Sequence, residues 1–117
     1  MIWYREYAWF VSDEDGSIFK HGGCNQDFPK GRSLHYNGHR TMLTYINDED
    51  HIKIVAQDHG LNLVKHYSQI QSHLKTLGEQ GFEFSKDDRF GYCTTRLQEL
   101  GSGMRVSVHL KLPQVYR

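Results

Sequence analysis

Two short apolar-rich runs, Thr41–Asn47 and His51–Gln57, flank Asp48-Glu49-Asp50 and predict a tight antiparallel hairpin. In the second run Ile52, Ile54 and Ala56 share one parity and Lys53 and Gln57 the other, so they point to opposite faces of a sheet. The spacing then lengthens. Leu63, Val64, Tyr67, Ile70, Leu74 and Leu77 form one apolar stripe at helical steps, with Asn62 placed as N-cap and Gly78 or Gly81 as stop. After Phe82-Glu83-Phe84, a strand near Tyr92–Thr94 and a final strand Met104–Lys111 flank a Gly101-Ser102-Gly103 turn. At the front, Asp15-Gly16 between β-prone residues predicts strands near Tyr4–Val11 and Ser17–Lys20, with an N-terminal helix as the rival. His21–Gly31, with three Gly and one Pro, reads as loop. These elements describe an α+β fold, a two-layer antiparallel sheet with one long helix packed on one face.

Composition narrows the function classes. A chain of 117 residues fits a single domain, 1–117, with little area to spare for a deep cleft between lobes. Fourteen Lys plus Arg balance fourteen Asp plus Glu, so bulk charge predicts neither a nucleic-acid nor a membrane partner. The start Met-Ile-Trp-Tyr-Arg-Glu-Tyr has no cationic leader followed by an apolar run, which leads to the expectation of a soluble, cytoplasmic chain. Cys24 and Cys93 are too far apart for a zinc knuckle and too few for a disulfide framework. A mean hydropathy of −0.68 implies a lean core and leaves some apolar surface for a partner chain to complete. The N-terminal aromatics Trp3, Tyr4, Tyr7, Trp9 and Phe10 are the expected contact in a homo-oligomer.

The last predicted strand places Val106, Val108 and Leu110 on one parity and Arg105, Ser107, His109 and Lys111 on the other. If the helix covers the apolar parity of this strand and of His51–Gln57, the opposite face gathers Lys53, Arg105, Lys111 and a His. Such a face is either an anion site, because guanidinium groups pair with phosphate oxygens bidentately, or simply the wet side of a two-layer domain. Other candidates carry less. His35 and His39 straddle an Asn37-Gly38 turn with no third metal ligand at usable spacing. Gly101-x-Gly103 lacks the Lys-Ser/Thr and the helix of a phosphate loop. The carboxylates of Asp48-Glu49-Asp50 and Asp87-Asp88 read as general-base pairs or, more commonly, as solvated turn formers.

Four segments in order resemble the phosphagen (guanidino) kinases, the arginine and creatine kinase family. Asp27-Phe28-Pro29-Lys30-Gly31-Arg32-Ser33-Leu34-His35-Tyr36-Asn37 is similar to the family's "W-P-x-G/A-R-G-I-x-H-N", and Tyr45-Ile46-Asn47-Asp48-Glu49-Asp50-His51-Ile52-Lys53-Ile54 to "W-x-N-E-E-D-H-L-R-I". Asp87-Asp88-Arg89-Phe90-Gly91-Tyr92-Cys93-Thr94 looks like "H-D-R-L-G-F-L-T", and Leu100–Pro113 like "L-G-T-G-x-R-A-S-V-H-I-K-L-P". The resemblance covers about residues 8–113 and implies part of the C-terminal catalytic domain of such a kinase.

Carried over by position, the resemblance makes Glu49 the carboxylate that holds the guanidinium acceptor. It makes Arg105 a phosphate-clamping arginine and puts Ser107 and His109 on the adenine and ribose side. Lys53 stands where the family has a clamping Arg, keeping the charge without the bidentate fork. Arg96 stands where the family has its reactive Cys. Cys93 lies three residues too early to replace that Cys, while Arg96 adds a cation beside the phosphates. The segments matching the kinase's helical domain and its last flexible loop are expected to be absent. The resemblance thus implies a degenerate domain, catalytically silent, that binds ATP or ADP with Mg, or another phosphorylated small molecule, weakly on its cationic face. A purely structural or interaction module and a minimal active guanidino kinase are the alternatives.

Overall fold

The computed structural model describes residues 17–24 and 26–112. The predicted strand over Tyr4–Val11 and the N-terminal aromatics lie outside the described residues. Two compact units emerge, one ending at Ser85 and one beginning at Lys86.

The first unit opens with a short helix, α1 (Ser17–His21), where the sequence predicted a strand. The reason is local. Cys24 N–H donates to Phe19 O at 3.0 Å and Gly23 N–H to Lys20 O at 3.2 Å, while Gly23 takes φ +74°. This is the closing pattern of a helix ended by a left-handed glycine. The Gly22-Gly23 pair terminates a helix rather than beginning a loop after a strand.

The hairpin forms as predicted. Strands β1 (Ser33–Tyr36), β2 (Met42–Ile46) and β3 (Ile52–Ala56) make an antiparallel sheet in that order. Asn37 closes the first connection, its Oδ1 accepting from Thr41 N–H at 2.9 Å and Met42 N–H at 3.2 Å. Register pairs Leu34 with Tyr45, Leu43 with Val55 and Tyr45 with Lys53, so these side chains share one face. Leu43 and Tyr45 are the buried core there, with Leu34 and Val55 against them.

The long helix, α2 (Leu63–Glu79), lies on the other face, where His73 Nε2 and Thr44 Oγ1 are 3.3 Å apart. Thr44 pairs with Ile54, so α2 covers the Ile52, Ile54 and Ala56 parity, as the alternation predicted. Asn62 caps the helix through Oδ1, which accepts from Lys65 N–H at 3.2 Å. Gly81 at φ +89° closes it, with Phe82 N–H donating to Leu77 O at 3.1 Å. The stripe is covered only toward its C-terminal half; Leu63, Val64 and Tyr67 remain exposed. The face opposite the helix, expected to be polar, instead holds the deepest burial of the sheet, because Leu43 and Tyr45 project there.

The second unit is built from turns. Strands β4 (Lys86–Asp87) and β5 (Gly91–Tyr92) form a minimal hairpin, with Asp87 Oδ1 accepting from Arg89 N–H at 2.8 Å and Phe90 N–H at 3.1 Å. Tyr92 and Gly101 exchange two backbone hydrogen bonds of 3.0 Å each, and a single turn of 3-10 helix spans Leu97–Glu99. The predicted strand Met104–Lys111 is irregular and exposed. Alternation supplies the two faces of a strand, but a strand also needs a ladder, and this segment pairs with none among the described residues.

Two glycines should respond oppositely to a methyl group. At Gly91, with φ +77°, a Cβ would sit 2.6 Å from Gly101 O; at Gly78, inside α2, it would meet nothing within 4 Å. Gly91→Ala is expected to destabilise by about 2 kcal/mol or more, and Gly78→Ala to stabilise by about 0.5–1 kcal/mol, as read by urea denaturation.

Candidate functional site

The connection between β2 and β3 is short and internally bonded. Asn47 adopts φ +53°, its N–H donates to His51 O at 2.9 Å, and Asp48 N–H donates to Asp50 O at 3.1 Å. Asn47 Oδ1 lies 3.1 Å from His51 Nδ1, and its Nδ2 donates to Gly31 O at 2.9 Å. Asn tolerates the left-handed region and bonds its own neighbourhood, so the sequence fixes this turn locally.

The turn delivers two carboxylates inward. Asp48 is 4% and Glu49 7% exposed, so the reading of these residues as solvated turn formers is corrected. The Lys53 ammonium lies 2.9 Å from Asp48 Oδ2 and 3.7 Å from Glu49 Oε1, and 5.2 Å above the Tyr45 ring. Partial burial pulls the Lys53 pKa down. The hydrogen bond and charge of Asp48, with the charges of Glu49 and Tyr45, outweigh that effect and hold it above the ordinary lysine value. The Lys53 ammonium thus faces both carboxylates, Asp48 the nearer.

The remaining predicted residues belong to the second unit. Arg96 heads the 3-10 turn, and its carbonyl accepts from Thr94 Oγ1 at 2.8 Å. Arg105, Ser107 and His109 follow one another on one parity of the exposed segment, with Arg105 Nε donating to Ser107 Oγ at 3.3 Å. Glu49 and Lys53 are brought together in the first unit, and Arg105 and Ser107 in the second. Among the described residues no group of three or more His, Cys, Asp or Glu side chains could hold a metal ion.

Sequence reasoning missed three participants. Asp48 is the nearer partner of Lys53, a pairing that the hairpin register makes legible once the turn length is known. The Cys24 thiol donates to Glu49 O at 3.3 Å, across 25 positions, and Arg32 binds the carbonyls of Cys24, Gln26 and Lys30. No sequence spacing announces those contacts.

The sign of the Lys53 shift fixes an expected pH response. A pKa raised on folding contributes stability that is fully present below the unfolded lysine value near 10.5 and is lost as pH rises through the higher folded value. Alkaline unfolding should therefore include a step that Lys53→Met abolishes. At neutral pH that variant should lose about 1–2 kcal/mol, less than for a wholly buried pair because the ammonium keeps solvent contact. Chemical denaturation at pH 7 and above pH 10.5 checks both.

Residues 10–117 match the family described as ATP:guanido phosphotransferase, C-terminal catalytic domain. The arginine kinase of Turbo cornutus is 30% identical over 106 residues, covering 91% of this chain and 30% of that protein. The arginine kinase of Stichopus japonicus is 36% identical over 104 residues, 83% of this chain and 28% of the relative. Among solved structures, the substrate-free duplicated taurocyamine kinase from Schistosoma mansoni superposes with a TM-score of 0.68 at 28% identity, over 79% of this chain and 13% of that one. The chain therefore spans about 30% of the length of the arginine kinases it matches. Family match and structural likeness agree with the collinear motifs and with the α+β fold: this chain belongs to the ATP:guanido phosphotransferase family, in its C-terminal catalytic domain.

Proposed function

We propose that the chain is a phosphagen kinase-like domain that binds phosphate-bearing ligands weakly and transfers no phosphoryl group to a guanidino acceptor by itself. The observation that carries this reading is the engagement of Glu49. The carboxylate matched to the acceptor-binding position already faces the Lys53 ammonium at 3.7 Å, and Asp48 holds that ammonium at 2.9 Å. A guanidinium acceptor would have to compete with an internal cation that is tethered four residues away. Phosphoryl transfer depends almost wholly on positioning and charge stabilisation, so an engaged acceptor carboxylate removes much of its driving arrangement. Arg96 stands at the position matched to the family's Cys, so the chain lacks the thiol that the resemblance expects there.

The ligand side is carried by Arg105, with Ser107 and His109 on the same parity of an exposed segment and Arg96 as a further cation of the same unit. Its ligand is ATP, ADP or another phosphorylated small molecule, and magnesium enters with the phosphates. Because the contacts are electrostatic and exposed, affinity is weak and falls with salt. Exposed Val64, Leu97 and Leu110 support a second reading of the surface, self-association into a homo-oligomer. No helix among the described residues is long and apolar enough to cross a membrane.

A coupled assay with ATP and arginine, creatine or taurocyamine should show no turnover. Turnover that disappears in Glu49→Gln would sink the silent reading. Calorimetric titration with ADP should show weak binding that Arg105→Ala lowers by about tenfold, as expected for a lost charge-assisted bond. An unchanged affinity moves the site elsewhere. Sedimentation at micromolar concentration should show an assembly that dissociates on dilution and is weakened by Trp3→Ala; a dilution-insensitive monomer removes the oligomer.

A further inference from the structure

Among the described residues, two hydrogen bonds fasten the acidic turn from outside the hairpin, both from the segment between α1 and β1. Asn47 Nδ2 donates to Gly31 O at 2.9 Å, and the Cys24 thiol donates to Glu49 O at 3.3 Å. Register explains the first, because Ser33 pairs with Ile46 and so brings the residues before β1 beside the residues after β2. It does not explain the second. Cys24 precedes β1 by several irregular residues, and a thiol is too weak a donor to hold such a loop alone.

Arg32 supplies what is missing. It stands at the first position before β1, so its backbone is anchored by the sheet, and its guanidinium reaches back over the loop. Nη1 donates to Lys30 O at 3.2 Å and to Gln26 O at 3.5 Å, Nη2 donates to Cys24 O, and the guanidinium lies 5.1 Å over the Phe28 ring. Three carbonyl oxygens converging on one place repel each other unless a donor with several N–H groups lies between them. A planar guanidinium can do this, whereas a lysine ammonium lacks the fork.

We propose that Arg32 is a positioning residue for Glu49, acting through Cys24: by gathering the loop carbonyls it holds the Cys24 thiol on the Glu49 backbone and so sets where the Glu49 carboxylate meets Lys53. The proposal deepens the reading of Glu49 as the acceptor-matched carboxylate and rests on that reading for its meaning, not for its test.

The test uses the full chain without ligand, with Lys53 Nζ followed by nitrogen-15 NMR across alkaline pH. The groups facing that ammonium are Asp48 and Glu49 from the turn and Tyr45 from β2. Arg32→Ala should lower the Lys53 pKa toward the ordinary lysine value, and Arg32→Lys should fail to restore it. In a Cys93→Ser background, Arg32→Ala should also speed alkylation of Cys24 by iodoacetamide several-fold. Cys24→Ser, which keeps a donor, should leave the Lys53 titration in place, and Cys24→Ala should shift it. This Ser and Ala pair decides the matter if the Arg32 variants do not fold. A Lys53 titration unmoved by Cys24→Ala, or by a folded Arg32→Ala, overturns the proposal. Phosphotransfer and ADP binding are read separately, so failure of the functional reading leaves this result interpretable.

Discussion

One ammonium between two buried carboxylates organises the first unit. Lys53 meets Asp48 and Glu49 where they turn inward, and that contact offsets part of the several kcal/mol of hydration an ionised carboxylate loses on burial. Lys53 in turn stands over Tyr45, the aromatic member of the small core, so the ion cluster and the apolar cluster are fixed by the same strand register. The turn geometry follows from Asn47, and the loop before β1 follows from its ties to that turn. Within the first unit, the placement of Lys53 against the turn therefore depends on the length of the connection between β2 and β3. One residue more would carry Lys53 to the other face of the sheet.

What was legible in the sequence was whatever is specified over a few residues. The alternation of Ile52, Ile54 and Ala56 named the face that α2 covers, and Asn62 and the Gly78–Gly81 region marked the helix ends within a residue or two. The collinear motifs identified the family before any coordinate. What was not legible required long-range or subtler local information. Ser17–His21 has β-prone residues, yet the left-handed glycine at Gly23 closes it as a helix. Met104–Lys111 alternates as a strand should, but a strand is a relation between two segments, and one segment cannot state it. The burial of Asp48 and Glu49 and their contact with Lys53, five and four positions away, depend on how the turn folds inward. The contacts of Cys24 and Arg32 depend on how a glycine-rich loop folds back, which no period encodes.

The family resemblance and the geometry contribute different things. Resemblance assigns Glu49 to the acceptor and Arg105 to phosphate by matching positions. Geometry adds that Glu49 is paired, that Asp48 shares the pairing, and that Arg105 lies on an exposed, unladdered segment. An ammonium in place of a guanidinium at Lys53 is a change of shape at constant charge. It sits closer to Asp48 than to Glu49, where a planar fork could have met one carboxylate bidentately.

The unladdered segment has a consequence for handling the protein. Val106, Val108, Leu110 and Leu112 are all about half or more exposed, on a backbone whose donors and acceptors face no neighbouring strand among the described residues. Such a segment is a template for stacking chain on chain, and charges along it, here Arg105 and Lys111, oppose that pairing. Added salt screens that repulsion. A high-salt buffer would therefore push the protein toward fibrous or amorphous precipitate, and purification belongs at low ionic strength.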